Sequence, residues 1–256
     1  MTAKQAEWIA RMRATLIHLA ISAFLALSLG LWVLLVWYPG TYREISGGLP
    51  LLGMLLAIDV VLGPLLTLVI YRSSKSRKEL LLDFSVIGLL QLGALLYGVW
   101  TVYQARPVHL VFEYNRFAVV HAADIPKEDL ALAPAHLQHL PITGPSLISL
   151  RPLRSEEAVE STMAALAGQA QAAQPQLWQD YELAKPEILQ ASRPIEDLLI
   201  RFPDSKEAIH KAIKKSEVPA AQLRYVPLIS RQIAWTTLIN AQTGMPVGFL
   251  PLDSFD

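Results

Sequence analysis

Three long apolar stretches followed by a polar half predict a membrane protein: a three-transmembrane-helix bundle, then a C-terminal α+β domain. Three observations carry that prediction. Of 256 residues, 53% are hydrophobic and only 17% charged, against about 25% charged in an ordinary soluble domain. The apolar residues are concentrated in the first part of the chain. The lysines and arginines there gather on alternate flanks of the apolar stretches, as they do when a chain crosses a bilayer repeatedly.

The first span is expected over 14–36, where 23 residues pass without an acid, lysine or arginine. The second, 49–71, contains one charge, Asp59, and the third, 80–103, has Asp83 near its start. Each is long enough to cross a hydrocarbon core of about 30 Å as a helix rising about 1.5 Å per residue. The first is too long in its apolar core, and lacks a small-residue cleavage site, for a removable signal peptide.

Orientation follows from the flanks. Lys4, Arg11 and Arg13 precede span one, and Arg72, Lys75, Arg77 and Lys78 lie between spans two and three, whereas Trp37–Gly48 has only Arg43. Basic flanks stay cytoplasmic. The cytoplasmic N-terminus is therefore 1–13, and residues 104–256 are expected outside, in the periplasm. Trp32, Trp37, Tyr38 and Tyr42, with Tyr97, Trp100 and Tyr103, read as an aromatic belt at that outer interface.

Within 104–256, 14 basic and 17 acidic residues describe a water-soluble domain. Val108–Phe112 and Phe117–His121 read as a hairpin around Glu113–Arg116. Ser155 opens an expected helix to about Gln171, with Val159, Met163 and Leu166 on one face. Asp204 and Glu207 suggest a capped helix to Lys215. Leu223–Ile229, Ile233–Ile239 and Val247–Leu250 read as strands, with a turn over Asn240–Gly244.

Several function classes fall away. Twenty-two basic and twenty-two acidic residues cancel, unlike the basic surface of a nucleic-acid binder. Zero cysteines remove disulfides and thiolate metal sites. His136 and His139 stand at i, i+3 without a third ligand at a recognisable spacing, so no metal and no cofactor are expected. Ser146, after Gly144-Pro145, reads as a turn residue. No nucleophile elbow, zinc-protease motif or phosphate loop occurs, and no catalytic residue is nominated.

The candidate site residues are polar groups inside the spans. Asp59 is near the middle of span two, and Gln91 shares its depth in span three. His18, toward the cytoplasmic end of span one, shares its depth with Asp83. An acid at the bilayer centre costs about 2.5–3.5 kcal/mol on insertion scales and turns inward or finds a partner. Asp59 is thus either a structural hydrogen-bond partner of Gln91 or a contact for another protein's membrane helix. Gly63-Pro64 should loosen the same helix.

Specific phrases carry a resemblance. Leu35-Val36-Trp37-Tyr38-Pro39-Gly40, the run from Asp59 to Val69, the run from Tyr97 to Pro107, and the hairpin residues Val111-Phe112-Glu113 and Arg116-Phe117 resemble the TfpX/TfpZ family of type IV pilin accessory proteins. The resemblance is dense from about Arg11 to Val120 and loose afterwards. It implies a bacterial inner-membrane protein that acts beside the major pilin, touching its membrane helix and periplasmic head, and promotes pilus assembly in a chaperone-like way. The pilus assembly platform is a further implied partner, and membrane lipid surrounds the spans. It implies no catalytic residues. Two rivals are a membrane-anchored envelope enzyme and a scaffold of the assembly machine.

Overall fold

The computed structural model describes residues 2–231 and 233–255. The chain divides into two compact units, Met1–Trp37 with Gly47–Ala105, and Tyr38–Ser46 with Arg106–Asp256. They are called here the helical unit and the sheet unit.

The helical unit has three long helices. α1 spans Ala3–Trp32 and runs on as a π-helical turn, Val33–Trp37. The short α2, Tyr42–Ile45, belongs to the sheet unit. α3 spans Gly48–Ile70 and α4 spans Arg77–Gln104. All three long helices are long and apolar enough to cross a membrane. The α4 start is a capping box, in which Ser76 accepts from the Glu79 amide and Glu79 accepts from the Ser76 amide.

α3 packs against both other helices, and small residues make this possible. The buried face of α1 carries Ser22, Ala26 and Gly30, continued by Val33 of the π-helical turn, with a small residue at every fourth position from Ser22 to Gly30. Small stripes let membrane helices approach closely where no hydrophobic effect drives them together. A methyl group built on Gly30 would stand 3.0 Å from Leu56 on α3. On Gly98 of α4 it would overlap Leu55 of α3. Ile87 and Val102 of α4 are buried, while Leu81, Leu89 and Leu90 on its outer face are each at least 64% exposed, as lipid-facing residues should be.

The sheet unit is built on an eight-stranded mixed sheet. Its strands are β1 (Pro107–Glu113), β2 (Arg116–His121), β3 (Ser146–Leu150), β4 (Trp178–Asp180), β5 (Arg193–Pro194), β6 (Leu223–Ser230), β7 (Ile233–Asn240) and β8 (Pro246–Leu250). The order is β4-β3-β1-β2-β6-β7-β8, with β5 also pairing β6. The β1–β2 hairpin turns through Tyr114 and Asn115, and Tyr114 takes the left-handed conformation (φ 60°) that a two-residue hairpin turn requires. β1–β3 and β2–β6 are parallel, and the other pairs are antiparallel.

Alternation along the strands sends side chains to both faces. In β2, Ala118 and Val120 join a cluster with Val111, Ile148, Leu150 and Trp178. Phe117 and Val119 join another with Leu110, Phe112, Val226, Leu228 and Trp235. The second cluster is covered by Ile188 of α6 (Lys185–Ala191) and by Ile45 of α2. A third, around Leu223, Tyr225, Leu238 and Leu250, lies under α7 (Ile195–Arg201) and α8 (Lys206–Ser216).

The loop between the first two spans is therefore part of the sheet unit's core. Ile45 is 1% exposed, and Tyr42 meets Phe249 of β8 edge-on, with ring centroids 5.6 Å apart. Tyr38 is buried as well. Tyr38 and Tyr42, read from the sequence as interfacial aromatics, are instead packed within the sheet unit. Trp37 stays with the helices, its ring edge-on to Trp32 at 4.7 Å and to Tyr103 at 5.1 Å.

Other local differences have physical causes. The helix expected from Ser155 to Gln171 is shorter: α5 spans Ala158–Leu166. A two-pronged pairing of Arg151 with Glu157, at 2.7 and 2.8 Å, holds the residues before it outside the helix. Gly168 at φ 102° lies just past its end. Ser146 is not a turn residue but opens β3, where it stands against His109 of β1. The helix near Asp204 starts as a 3-10 turn, Pro203–Ser205, without a side-chain cap.

Candidate functional site

Four polar residues of the helical unit, His18, Asp59, Thr67 and Gln91, form a connected network around α3. Gln91 of α4 reaches across and donates from Nε2 to the main-chain carbonyl of Asp59, at 3.2 Å. Its Oε1 stands 2.8 Å from His18 Nε2 on α1. The other ring nitrogen of His18, Nδ1, is 2.6 Å from the Thr67 hydroxyl on α3. The chemistry assigns the protons. A carbonyl only accepts, so the Gln91 nitrogen faces Asp59 and its oxygen faces His18. An amide oxygen also only accepts, so His18 Nε2 donates. In neutral imidazole Nδ1 then accepts from Thr67, and both ring nitrogens have a partner.

Glycine makes the crossing possible. A methyl group on Gly63 would collide with the Gln91 amide, so the absent side chain is the notch through which Gln91 reaches α3. Asp59, Gly63 and Thr67 are all buried and recur every fourth residue, which puts carbonyl, notch and hydroxyl on one face. Pro64 lies inside α3, which continues through it.

Asp59, Gln91 and His18 thus meet at one network. Asp83 does not join it: its carboxylate pairs with Lys75 Nζ at 2.6 Å. Thr67 was not singled out from the sequence, and its spacing of four from Gly63 and eight from Asp59 was the available signal.

Beside the network, α3 and α4 leave a groove of about 240 Å³. Its wall is apolar, with Met54, Leu55 and Ile58 on one side and Leu95, Tyr97 and Gly98 on the other, and Asp59 is the charged residue that lines it. The groove has room for apolar side chains beside Asp59.

The sheet unit offers a larger, polar cavity of about 560 Å³, lined by Glu113, Arg116, Asp124 and Arg231 among others. Its carboxylates are engaged. Arg116 Nε donates to Glu113 at 2.9 Å. Asp124 accepts from the His121 amide at 2.8 Å and stands 3.1 Å from its Nδ1. Burial alone would raise Asp124, but the His121 hydrogen bonds outweigh it and hold the carboxyl below the usual range. His109 is buried edge-on against Trp178, at 4.6 Å, with Nδ1 2.7 Å from the Ser146 hydroxyl. Burial lowers its pKa to about 4. His136 bonds Asp180 at 2.7 Å on the surface. Among the described residues, no group of three or more His, Asp or Glu is placed to hold a metal ion.

Three apolar helices of spanning length, an intramembrane polar network and a covered mixed sheet define a membrane-anchored protein with a folded extramembrane unit. Comparison with known proteins identifies its family. The family model described as fimbrial assembly protein FimB matches residues 6–47. The chain is 30% identical to the Dichelobacter nodosus fimbrial assembly protein of serogroup I over 243 residues, covering 94% of each chain. The serogroup E1 protein matches to the same extent, and that of serogroups C1 and C2 is 38% identical over 117 residues, 46% of this chain and 89% of that one. The chain belongs to the fimbrial assembly protein family. No solved structure gives a significant match.

Proposed function

We propose that this chain is a non-enzymatic pilus assembly factor of the bacterial inner membrane, which holds a pilin subunit before its incorporation. The observation that carries the reading is the similarity to fimbrial assembly proteins over 94% of the chain. The phrases resembling the TfpX/TfpZ accessory proteins agree with it and add the pilin as the partner. The helical unit takes the pilin's membrane helix in the α3–α4 groove, and the periplasmic sheet unit meets its head in a chaperone-like way.

Two independent features support the topology. Basic flanks put the N-terminus and the α3–α4 loop in the cytoplasm. Tyr38–Ser46 and Arg106–Asp256 fold as one unit, so the segment after α1 and the segment after α4 share a side, as three complete crossings require.

The test combines deletion with site-directed crosslinking in membranes. Deletion should lower surface pili while pilin transcription is unchanged. A photoreactive residue at Met54 or Tyr97 should capture pilin, and Asp59→Leu at normal protein level should weaken that capture. Capture of an assembly-platform component instead of pilin overturns pilin holding in favour of a scaffold. Pilin capture unchanged in Asp59→Leu removes the acid from recognition.

A further inference from the structure

The pilin reading uses the groove beside Asp59 and leaves a second, mostly apolar pocket, in the sheet unit, without a role. Its volume is about 400 Å³, the size of a site that takes a small ligand or a long side chain. Phe112 and Tyr114 reach it from the end of β1, Leu153 from beyond the end of β3, and Ala184 from the turn before α6. Gln179 of β4 and Glu187 of α6 are the polar side chains beside them. The hairpin gives up a favoured turn residue to supply this wall. Tyr114 stands at φ 60°, a conformation that Gly or Asn adopts at less cost than a bulky side chain.

The hydrogen-bonding state of the lining decides what the pocket takes. Gln179 donates from Nε2 to the Leu150 carbonyl at 3.2 Å, so the group it has left is the acceptor Oε1. Glu187 is exposed and, among the described residues, in no ion pair, and a carboxylate only accepts. The Tyr114 hydroxyl can accept as well as donate. Neighbouring charges are already matched. Tyr114 feels Glu113 and Arg151, but Glu113 accepts from Arg116 at 2.9 Å and Arg151 forks onto Glu157 at 2.7 and 2.8 Å. Lys185, two residues before Glu187, pairs with Glu182. A ligand that satisfies this pocket therefore brings donors and positive charge at one end, with apolar carbon behind them.

We infer that this pocket receives a lysine or arginine side chain of a partner protein, its carbon stem against Phe112, Tyr114 and Leu153 and its cationic head on Glu187 and Gln179. Long basic side chains are built in this way, an apolar stem carrying a charged head, and an aromatic face adds a cation–π attraction. The inference uses the sheet unit alone and stands whether or not the partner is pilin.

Tyr114 itself can report. The full-length protein, its eight tyrosines labelled as 3-fluorotyrosine, is placed in nanodiscs, and the fluorine resonance missing from Tyr114→Phe belongs to Tyr114. The probes are N-acetyl-arginine amide, N-acetyl-lysine amide and N-acetyl-citrulline amide, the last an uncharged copy of the arginine shape. Expected is a saturable shift of the Tyr114 resonance with the arginine or the lysine probe. Citrulline should bind about two- to fivefold more weakly than arginine, the range of one exposed ion pair. Glu187→Gln should abolish that difference while leaving citrulline binding as it was, and unmoved resonances of the other tyrosines check the fold. No shift with either cation overturns the inference. Citrulline binding as tightly as both cations overturns it in favour of a purely apolar anchor pocket. A preference for the cation that survives Glu187→Gln overturns it too, because the charge would then be read elsewhere.

Discussion

The helical unit and the sheet unit are held together by different physics. In the sheet unit, large side chains such as Trp178, Phe117 and Tyr225 are at most 2% exposed, and the hydrophobic effect is the dominant favourable term. In the helical unit the buried positions are mostly small or polar: Ser22, Ala26, Gly30, Asp59, Gly63 and Thr67. Many of the large apolar residues there, Phe24, Leu27, Val69 and Leu89 among them, are exposed, because lipid solvates them as well as protein does. The same substitution should therefore have unequal consequences in the two units, and each expectation below measures that inequality.

The largest contrast is a truncation to Ala. Phe117→Ala, at a fully buried position beside Phe112 and Tyr181, should cost the sheet unit about 3–5 kcal/mol. Leu89→Ala on α4, 70% exposed, should stay within about 0.5 kcal/mol. Denaturant titration of the purified protein, followed by proteolysis of each unit, reads both. Equal losses would mean that α4 is covered in the folded protein.

Ile45 sharpens the boundary between the units. It lies between two apolar helices in sequence, yet packs with Leu110 and Phe117. Ile45→Ala should lower sheet-unit stability by about 2–5 kcal/mol, and a fragment beginning at Arg106 should be correspondingly less stable than the unit in the whole chain. A thermal-melt change within error would make the segment a mere linker.

Acid separates the units by a different route. His109 is 1% exposed and its pKa is about 4, against about 6.5 in an unfolded chain. Between those values the unfolded state binds the extra proton, so stability falls as pH drops from about 6.5 toward 4. The loss approaches roughly 3 kcal/mol below both values. Replacing His109 by Gln should flatten that part of the stability–pH curve, and an unchanged slope would assign acid sensitivity to other groups.

How much of this was legible in the sequence follows the same division. The three spans could be read because a bilayer imposes one length and one composition on them. The β1–β2 hairpin and β6–β8 could be read because antiparallel neighbours are adjacent in the chain. β3 could not: its partner β1 lies 37 residues earlier, His109 against Ser146, and a preceding Gly-Pro imitates a turn. The α5 apolar stripe correctly marked a helix, but Val159, Met163 and Leu166 are 62–78% exposed, because periodicity reports a face and not what covers it. In the site, Asp59, Gln91 and His18 stood out by their polarity among apolar neighbours. Thr67 did not, since a threonine in a membrane helix can satisfy its own hydroxyl on the preceding turn.

Thr67 also gives the smallest and most specific expectation. Its hydroxyl donates to His18 Nδ1 only if Nε2 carries the ring proton, the arrangement that Gln91 imposes from the other side. Thr67→Val keeps the shape and removes the donor, leaving Nδ1 unpaired. Single interhelical hydrogen bonds in membranes average about 0.6 kcal/mol and reach about 1.7, so the helical unit should weaken by that order, with no change in the sheet unit. Removing His18 in the same molecule removes the unpaired nitrogen as well, but frees Gln91. The double variant His18→Leu, Thr67→Val should therefore cost less than the sum of the single changes, because the bond is lost once and not twice. Unfolding in lipid bicelles, followed for all three variants, measures the coupling. Additive losses would mean that His18 and Thr67 are neighbours without a bond, and that Gln91 alone ties α1 to the centre of the bundle.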